Sequence, residues 1–407
     1  MMRNSPLNGL RILALENYIA GPYGSMILGD LGADVIKIEP PSGDLSRSFA
    51  GPDHKGEVFY YLAFNRNKKS IVLNLAIPSN KDAFYDLVKL SDVVWDNFRP
   101  GVTARLKVNY DALKKINPRI ICCSITGYGQ TGARKNQLSY DIVGQAISGI
   151  MSITGEVGRS PTRCGPPVGD LVAGMMGVVG VLAAVARRDK TGKGEKVETS
   201  LLDSCVSLLA YYFSYYFSSG EVPGPQGAGH LGVSPYSVFK TRDGRWIATG
   251  INWPRITRVI GAEWLADDTR FQTMAGRVRH KEELERIMQE YFLKADAQQW
   301  LELFEAEDIA GGLVQNIDEA AIDPQILNND MIVSLTHSLG GQIKLTGNAI
   351  KMSGVSPSNY EAPPVLGQHT DEVLKNLLDY SHRRIKKIKT EAVANPGELT
   401  SRIRKTL

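Results

Sequence analysis

Histidine is scarce in this chain, with six in 407 residues (His54, His230, His280, His337, His369 and His382) and none between Lys55 and Gly229. None pairs with a serine or cysteine in a nucleophile pattern, and neither a Gly-x-Ser-x-Gly elbow nor a phosphate-binding P-loop occurs. The four cysteines, Cys122, Cys123, Cys164 and Cys205, have no metal-ligand spacing, so no metal is expected and reduced thiols in a cytoplasmic protein are. An excess of one charge sign is missing too. Forty-seven basic residues stand against 43 acidic ones, a net +4, too even a balance to call for nucleic acid. Much of the excess lies in Arg383–Lys389, which reads as a solvated helix face. No signal-peptide pattern opens the sequence. The one long apolar run, Leu171 to Ala186, is slightly short and glycine-rich for a membrane span. It is expected to be a buried core helix whose glycines admit neighbouring backbone, with no membrane partner. With so few bases, carboxylates remain as the main candidates for chemistry.

What is present is alternation. Short apolar runs read as strands at 11–15, 34–39, 69–75, 92–98 and 119–125, with helical patterns at 24–32, 80–90 and 103–116 between them. This order predicts an α/β fold with a parallel sheet and right-handed crossovers. Ligands of such sheets sit beyond the carboxyl ends of the strands, here 16–21, the segment after Leu73, 97–101 and 127–130. Residues 11–39 look like a dinucleotide-binding unit, but the turn reads Gly21-Pro22-Tyr23-Gly24 and lacks the three-glycine spacing, which speaks against nicotinamide or flavin. Further helices are expected at 140–151, 201–217, 279–292, 298–307 and 371–378, a strand at 196–199, and a hairpin around Arg242-Asp243-Gly244-Arg245. Composition divides the chain into a first part of a large α/β domain (1–217), a linker and Gly-rich loop (218–235), a small domain (236–323), and a return to the large domain with a C-terminal helix (324–407). The last dozen residues read as frayed or surface-bound.

Asp170 stands where the Gly/Pro-rich approach meets the long apolar helix. A carboxylate at or just before a first turn meets unpaired N–H groups and the positive dipole end, which favour its ionised form. Two readings stand at this point: a nucleophile and a plain N-cap. Asn65-Arg66-Asn67-Lys68-Lys69 is a turn with three cations, suited either to phosphate or to solvent. Arg99 and Arg105 follow a strand's carboxyl end, where phosphate contact and surface solvation are both open. Gly227-Ala228-Gly229-His230 is a hinged lid or a linker.

Taken together, the chain resembles the family III CoA-transferases, the formyl-CoA, carnitine and bile-acid type, from about Gly9 to about Leu378. The resemblance is carried by Gly9-Leu10-Arg11-Ile12-Leu13, Leu31–Pro41, Asn67–Ile71, Asn97-Phe98-Arg99-Pro100-Gly101, Tyr140-Asp141, Gln145-Ala146, Gly169-Asp170, Thr191-Gly192-Lys193-Gly194 and Leu366–Thr370. It implies that CoA moves between an acyl-CoA thioester and a free carboxylic acid. Asp170 would carry the acyl group as an anhydride, then CoA as an aspartyl thioester. By the same resemblance Tyr18, Leu73, Asn97, Phe98, Arg99, Arg105, Ser139 and Tyr140 would line the CoA site. Coenzyme A would enter as co-substrate, with no tightly bound cofactor. A Rossmann-like large domain, a smaller α+β domain and an interlocked, threaded-ring homodimer are implied as well.

The sequence departs from the family pattern in places. Pro40 follows Glu39 where some members carry an arginine for CoA, which would shift that contact to Arg47 or Lys68. Gly132-Ala133 replaces the commoner Gly-Pro. The 224–232 loop is less glycine-dense than in formyl-CoA transferases, which argues against oxalate or formate. An α-methylacyl-CoA racemase of the same fold is the nearest rival. It needs a histidine near the Gln145-Ala146 helix, where this chain has Tyr140. A non-catalytic CoA-binding subunit of a paired transferase would have no need of an intact Asp170.

Overall fold

The computed structural model describes residues 5–353 and 360–394; the chain end expected to fray lies outside them. Six parallel strands form the main sheet: β1 (Arg11–Leu15), β2 (Asp34–Glu39), β3 (Lys68–Val72), β4 (Val93–Asp96), β5 (Ile121–Thr126) and β6 (Lys196–Ser200). Their spatial order is β3-β2-β1-β4-β5-β6, that of the doubly wound dinucleotide folds. The fold is α/β with a large parallel sheet. Order reverses between β1 and β4, so the crevice for a ligand opens beyond Leu15 and Asp96.

Both faces of the sheet are covered, which is why its strands read as unbroken apolar runs. Leu13, Leu15, Ile36, Ile38 and Ile71 pack with Phe84 and Leu87, and with Val373, Leu374, Ile385 and Ile388 from the end of the chain. Ile12, Ala14, Val93, Trp95 and Cys123 face the other way, onto Ala20, Leu28, Ala173, Val178 and Val181. That second layer is two helices, α1 (Ala20–Asp30) and α2 (Val168–Thr191).

The helices touch through glycine. A Cβ at Gly24 would lie 2.5 Å from the Trp95 ring and 2.7 Å from the Gly174 carbonyl oxygen; one at Gly174 would lie 2.7 Å from Ala20 O. The glycine after β1 therefore serves close packing, where a dinucleotide fold would use it for phosphate. α2 is longer than the expected 171–186 run, and by length and composition it could cross a membrane. Half of it is core. Its other side, with Met175, Met176 and Val179, is exposed, as are Val206 and Leu208 on the Leu201–Leu208 helix.

The chain divides into two compact units: Met1–Ser148, Gly165–Ala210 and Gln325–Leu407 in the first, Gly149–Cys164 and Tyr211–Pro324 in the second. Residues 149–164 and 211–217, read from composition as part of the large domain, group with the second unit. There, Tyr236–Lys240 and Trp246–Gly250 form the expected hairpin, extended antiparallel by Gly311–Leu313. Its helices pack Phe239, Phe292 and Trp300 into a separate core. Beyond Pro324 another hairpin, Ile332–Thr336 with Gln342–Thr346, belongs to the first unit. None of the four cysteines is in a disulfide. In the basic C-terminal helix Ile385 and Ile388 are buried, while the run's basic side chains are exposed, as a solvated face requires.

Several expected helices are shorter than their patterns. The 103–116 pattern splits at Lys107, whose φ of +61° is left-handed. The 140–151 pattern breaks at Gly149, φ +99°.

Gly24→Ala tests the helix contact. The added methyl meets backbone that cannot retreat, so the variant should lose about 1–3 kcal/mol in urea unfolding.

Candidate active site

Asp170 is the third residue of α2, after Gly165-Pro166-Pro167 ends the preceding chain and Pro167 sets the entry. It does not cap the helix. The helix's early N–H at Gly169 donates instead to Asp141 Oδ1 at 2.8 Å, so the N-cap reading of Asp170 is corrected. Asp141 opens the Asp141–Ser148 helix, and its other oxygen accepts from Gln145 Nε2, one turn on, at 2.6 Å. Space at Gly169 is tight: a Cβ there would sit 3.0 Å from Cys205 Sγ and 3.1 Å from Asp141 Oδ1.

Two carboxylates are thereby brought together. Burial, and secondarily the charge of Asp141, push the Asp170 carboxyl up to about 7, with no hydrogen bond or cation offsetting them. The expectation that the helix dipole would favour ionisation is overturned: desolvation and the like charge outweigh it. Asp170 is thus poised between acid and carboxylate near neutrality.

One tyrosine hydroxyl, that of Tyr60, lies near it. The Tyr60 phenol is pushed up to about 12, first by burial and then by Asp170, Asp141, Tyr18 and Asp44. Tyr18 is raised by burial and by its neighbours Tyr140 and Asp44. Phe49 joins them, with ring centroids 5.7 Å from Tyr18 and 4.7 Å from Tyr60. Tyr18 and Tyr60, both raised above the ordinary phenol value, are therefore hydrogen-bond donors on the first unit, with Tyr140 beside Tyr18. Tyr60 and Asp141 were not assigned roles from the sequence. The Asp-x-x-x-Gln spacing at a helix start was a usable signal for Asp141; nothing marked Tyr60 among its aromatic neighbours.

The other expected residues divide. Asn97, at the β1/β4 crevice, accepts from Asn17 N at 2.9 Å and donates to Asn17 O at 2.8 Å, so its amide clamps the loop that carries Tyr18. Phe98 is partly buried against the core, and its N–H donates to Asp96 Oδ1. Arg99 Nη2 donates to Asn136 O at 2.9 Å, and Arg105 is exposed. Ser139 lies against Gly127, where a Cβ would come within 2.3 Å of it. The Leu73 side chain lies in the core with Ile71 and Leu75, so its backbone is the part that can meet a ligand.

The three-cation turn is corrected as well. Arg66 forms a two-pronged pair with Asp30, Lys68 is buried on Glu16 at 2.7 Å, and Lys69 pairs with Asp34. Arg47 is held by Glu39 and Glu57 and stacks on the Tyr61 ring, 3.6 Å from its centroid. Neither Arg47 nor Lys68 is available for CoA. The 224–232 loop belongs to the second unit, where Gly227 N donates to Gly155 O and His230 stacks on Tyr211. No group of three or more metal-ligating side chains occurs among the described residues.

A family model described as CoA-transferase family III matches residues 7–370. The chain belongs to that family. The succinyl-CoA:glutarate CoA-transferase of Homo sapiens is 35% identical over 397 residues, 97% of this chain and 91% of the relative. The succinyl-CoA:mesaconate CoA-transferase of Haloarcula hispanica is 35% identical over 380 residues, 90% of this chain and 95% of the relative. A crystal structure of a CaiB/BaiF family protein from Brucella suis superposes with a TM-score of 0.81 at 30% identity, covering 92% of this chain and all of that one. This family III chain is a CoA-transferase enzyme, in a family whose members use CoA thioesters and carboxylates.

The raised Asp170 carboxyl has a consequence for stability. The unfolded chain releases this proton first, so folding weakens as pH rises from about 4 through about 7. Asp170→Asn should therefore stabilise the protein at pH 8, by about 1 kcal/mol or more, with the gain vanishing toward pH 4. Urea titrations of both proteins at the two pH values check this.

Proposed function

We propose that this CoA-transferase exchanges CoA between short dicarboxylic acids, with Asp170 as the covalent carrier. The observation that carries the reading is the unpaired Asp170 carboxylate set near Asp141 and the Tyr60 hydroxyl, with Tyr18 beside Tyr60 and Tyr140 beside Tyr18. The ionised Asp170 attacks the thioester carbon of an acyl-CoA; the C–S bond breaks, giving a mixed aspartyl anhydride and CoA thiolate. The thiolate then attacks the aspartyl carbonyl and frees the donor acid, leaving an aspartyl-CoA thioester. The acceptor carboxylate attacks that thioester to form a second anhydride. CoA returns to the acceptor's acyl carbon and Asp170 is released. A carboxylate is a weak nucleophile, so fixed placement and low solvation supply what its basicity does not. Tyr60, protonated throughout the neutral range, is suited to donate to an oxyanion as it forms.

Succinyl-CoA as donor and a C4–C5 dicarboxylate as acceptor are suggested by the names of the relatives, which run to succinate, glutarate, mesaconate and citramalate. Coenzyme A enters and leaves as co-substrate, its phosphates reached by Arg99 and Arg105. An interlocked homodimer accounts for the apolar faces at Met175, Met176, Val179, Val206 and Leu208, which a lone chain would leave to water. Cytoplasmic residence suits thiols that form no disulfide.

Mixing succinyl-CoA with glutarate should yield glutaryl-CoA by mass spectrometry, at a rate that rises with pH through about 7 as Asp170 ionises. Asp170→Asn should lower exchange at least about a thousandfold while CoA still binds. Hydroxylamine added during turnover should mark one peptide, the one containing Asp170. An unmarked peptide with intact exchange in the variant would refute the reading.

A further inference from the structure

Tyr18 is held in a conformation that a bulky side chain seldom adopts. Its φ is +65°, in the left-handed region where a side chain without local compensation is strained. The turn it closes, residues 16–18, is fastened from two sides. Asn97 clamps Asn17 through both amide atoms, and Asn17 Oδ1 accepts from Leu45 N at 3.1 Å. On the other side Tyr18 N donates to Asp44 Oδ1 at 3.3 Å.

Asp44 is itself buried, and its Oδ2 faces Lys37 Nζ at 2.7 Å. Lys37 has no exposed side-chain surface; its ammonium also donates to Glu16 O at 3.3 Å and lies 3.5 Å from Glu16 Oε1. A single buried ammonium therefore touches both ends of the Tyr18 turn: the Glu16 carbonyl before it and, through Asp44, the Tyr18 N–H. Lys68 completes the group on Glu16 Oε1, while Glu16 Oε2 has no hydrogen-bond partner. Buried ion pairs are expensive and contribute little net stability, so their presence is better explained by geometry they enforce than by free energy they supply.

We propose that the Lys37–Asp44 pair is a positioning device for the acyl-CoA site, holding the left-handed Tyr18 so that its phenol faces Tyr140 and Tyr60 beside Asp170. This rests on the reading of Asp170 as the carrier of CoA. Lys37 and Asp44 are positioning residues: they act on the substrate only through Tyr18.

A double-mutant cycle separates positioning from bulk stability. Asp44→Asn keeps an oxygen for the Tyr18 N–H and removes the charge that anchors Lys37. Tyr18→Gly removes the phenol and the cost of the left-handed turn. In the otherwise native enzyme, Asp44→Asn should lower kcat/KM for succinyl-CoA about tenfold, mainly through KM. In the Tyr18→Gly background the same change should alter kcat/KM less than about twofold, although the urea midpoint falls equally in both. If Asp44→Asn folds poorly, Lys37→Met combined with Asp44→Asn leaves no unpaired buried ion, and the same non-additivity is expected. An equal loss of kcat/KM in both backgrounds, or no loss in either, overturns the inference. Asp170→Asn is run alongside: if it retains exchange, the reading of the reaction falls, whereas an inactive Asp170→Asn with additive Asp44 effects removes only the positioning role.

Discussion

The candidate site depends on one unbalanced electrostatic feature, a carboxylate desolvated beside another carboxylate with no cation to neutralise it. Asp170 is in that position because Asp141, and not Asp170, satisfies the helix end at Gly169. With that N–H committed elsewhere, the Asp170 oxygens stay unpaired and their proton affinity climbs to about 7. A capping aspartate would be bound up in its own hydrogen bonds and its pKa would fall; such a group would be a worse nucleophile and a poorer proton reservoir.

The scaffold places this pair by close approach. Gly169 lets Asp141 reach the backbone, while Gly24 and Gly174 let two helices meet over Trp95. A larger residue at any of these points would lift α2 from the sheet and move Asp170 with it. Around the pair, the buried charges at Glu16, Lys37, Glu39, Asp44, Arg47 and Lys68 are nearly all paired. The contrast is instructive, because the molecule spends its cations on shaping the β1 crevice and leaves Asp170 without one.

Much of the fold was legible because its signals are local. β1 and β2 have the residue limits that their apolar runs predict, and the hairpin at Arg242–Arg245 follows from its turn. Lys107 was not legible, since a lysine in left-handed backbone leaves no compositional trace. The cations at 66, 68 and 69 were misread because their partners, Asp30, Glu16 and Asp34, lie 35 to 52 residues away in sequence. The inward facing of Leu73 was not legible either, because it is set by the packed helices and not by the residue. Asp170 could be picked out, but its proton affinity could not, because Asp141 comes from far upstream, 28 residues before the Gly169 whose N–H it accepts.

The order in which the first unit is assembled from the chain has one more implication. Its sheet is covered on one face by Phe84 and Leu87 and also by Val373, Leu374, Ile385 and Ile388, which follow the whole of 211–324 in the chain. The second unit gathers its core from nearly continuous chain, Phe239 to Ile309, and can close while translation continues. A ribosome-bound intermediate thus carries a sheet whose Phe84 and Leu87 side still lacks the cover of Val373, Leu374, Ile385 and Ile388, and that exposed apolar surface is a target for chaperones.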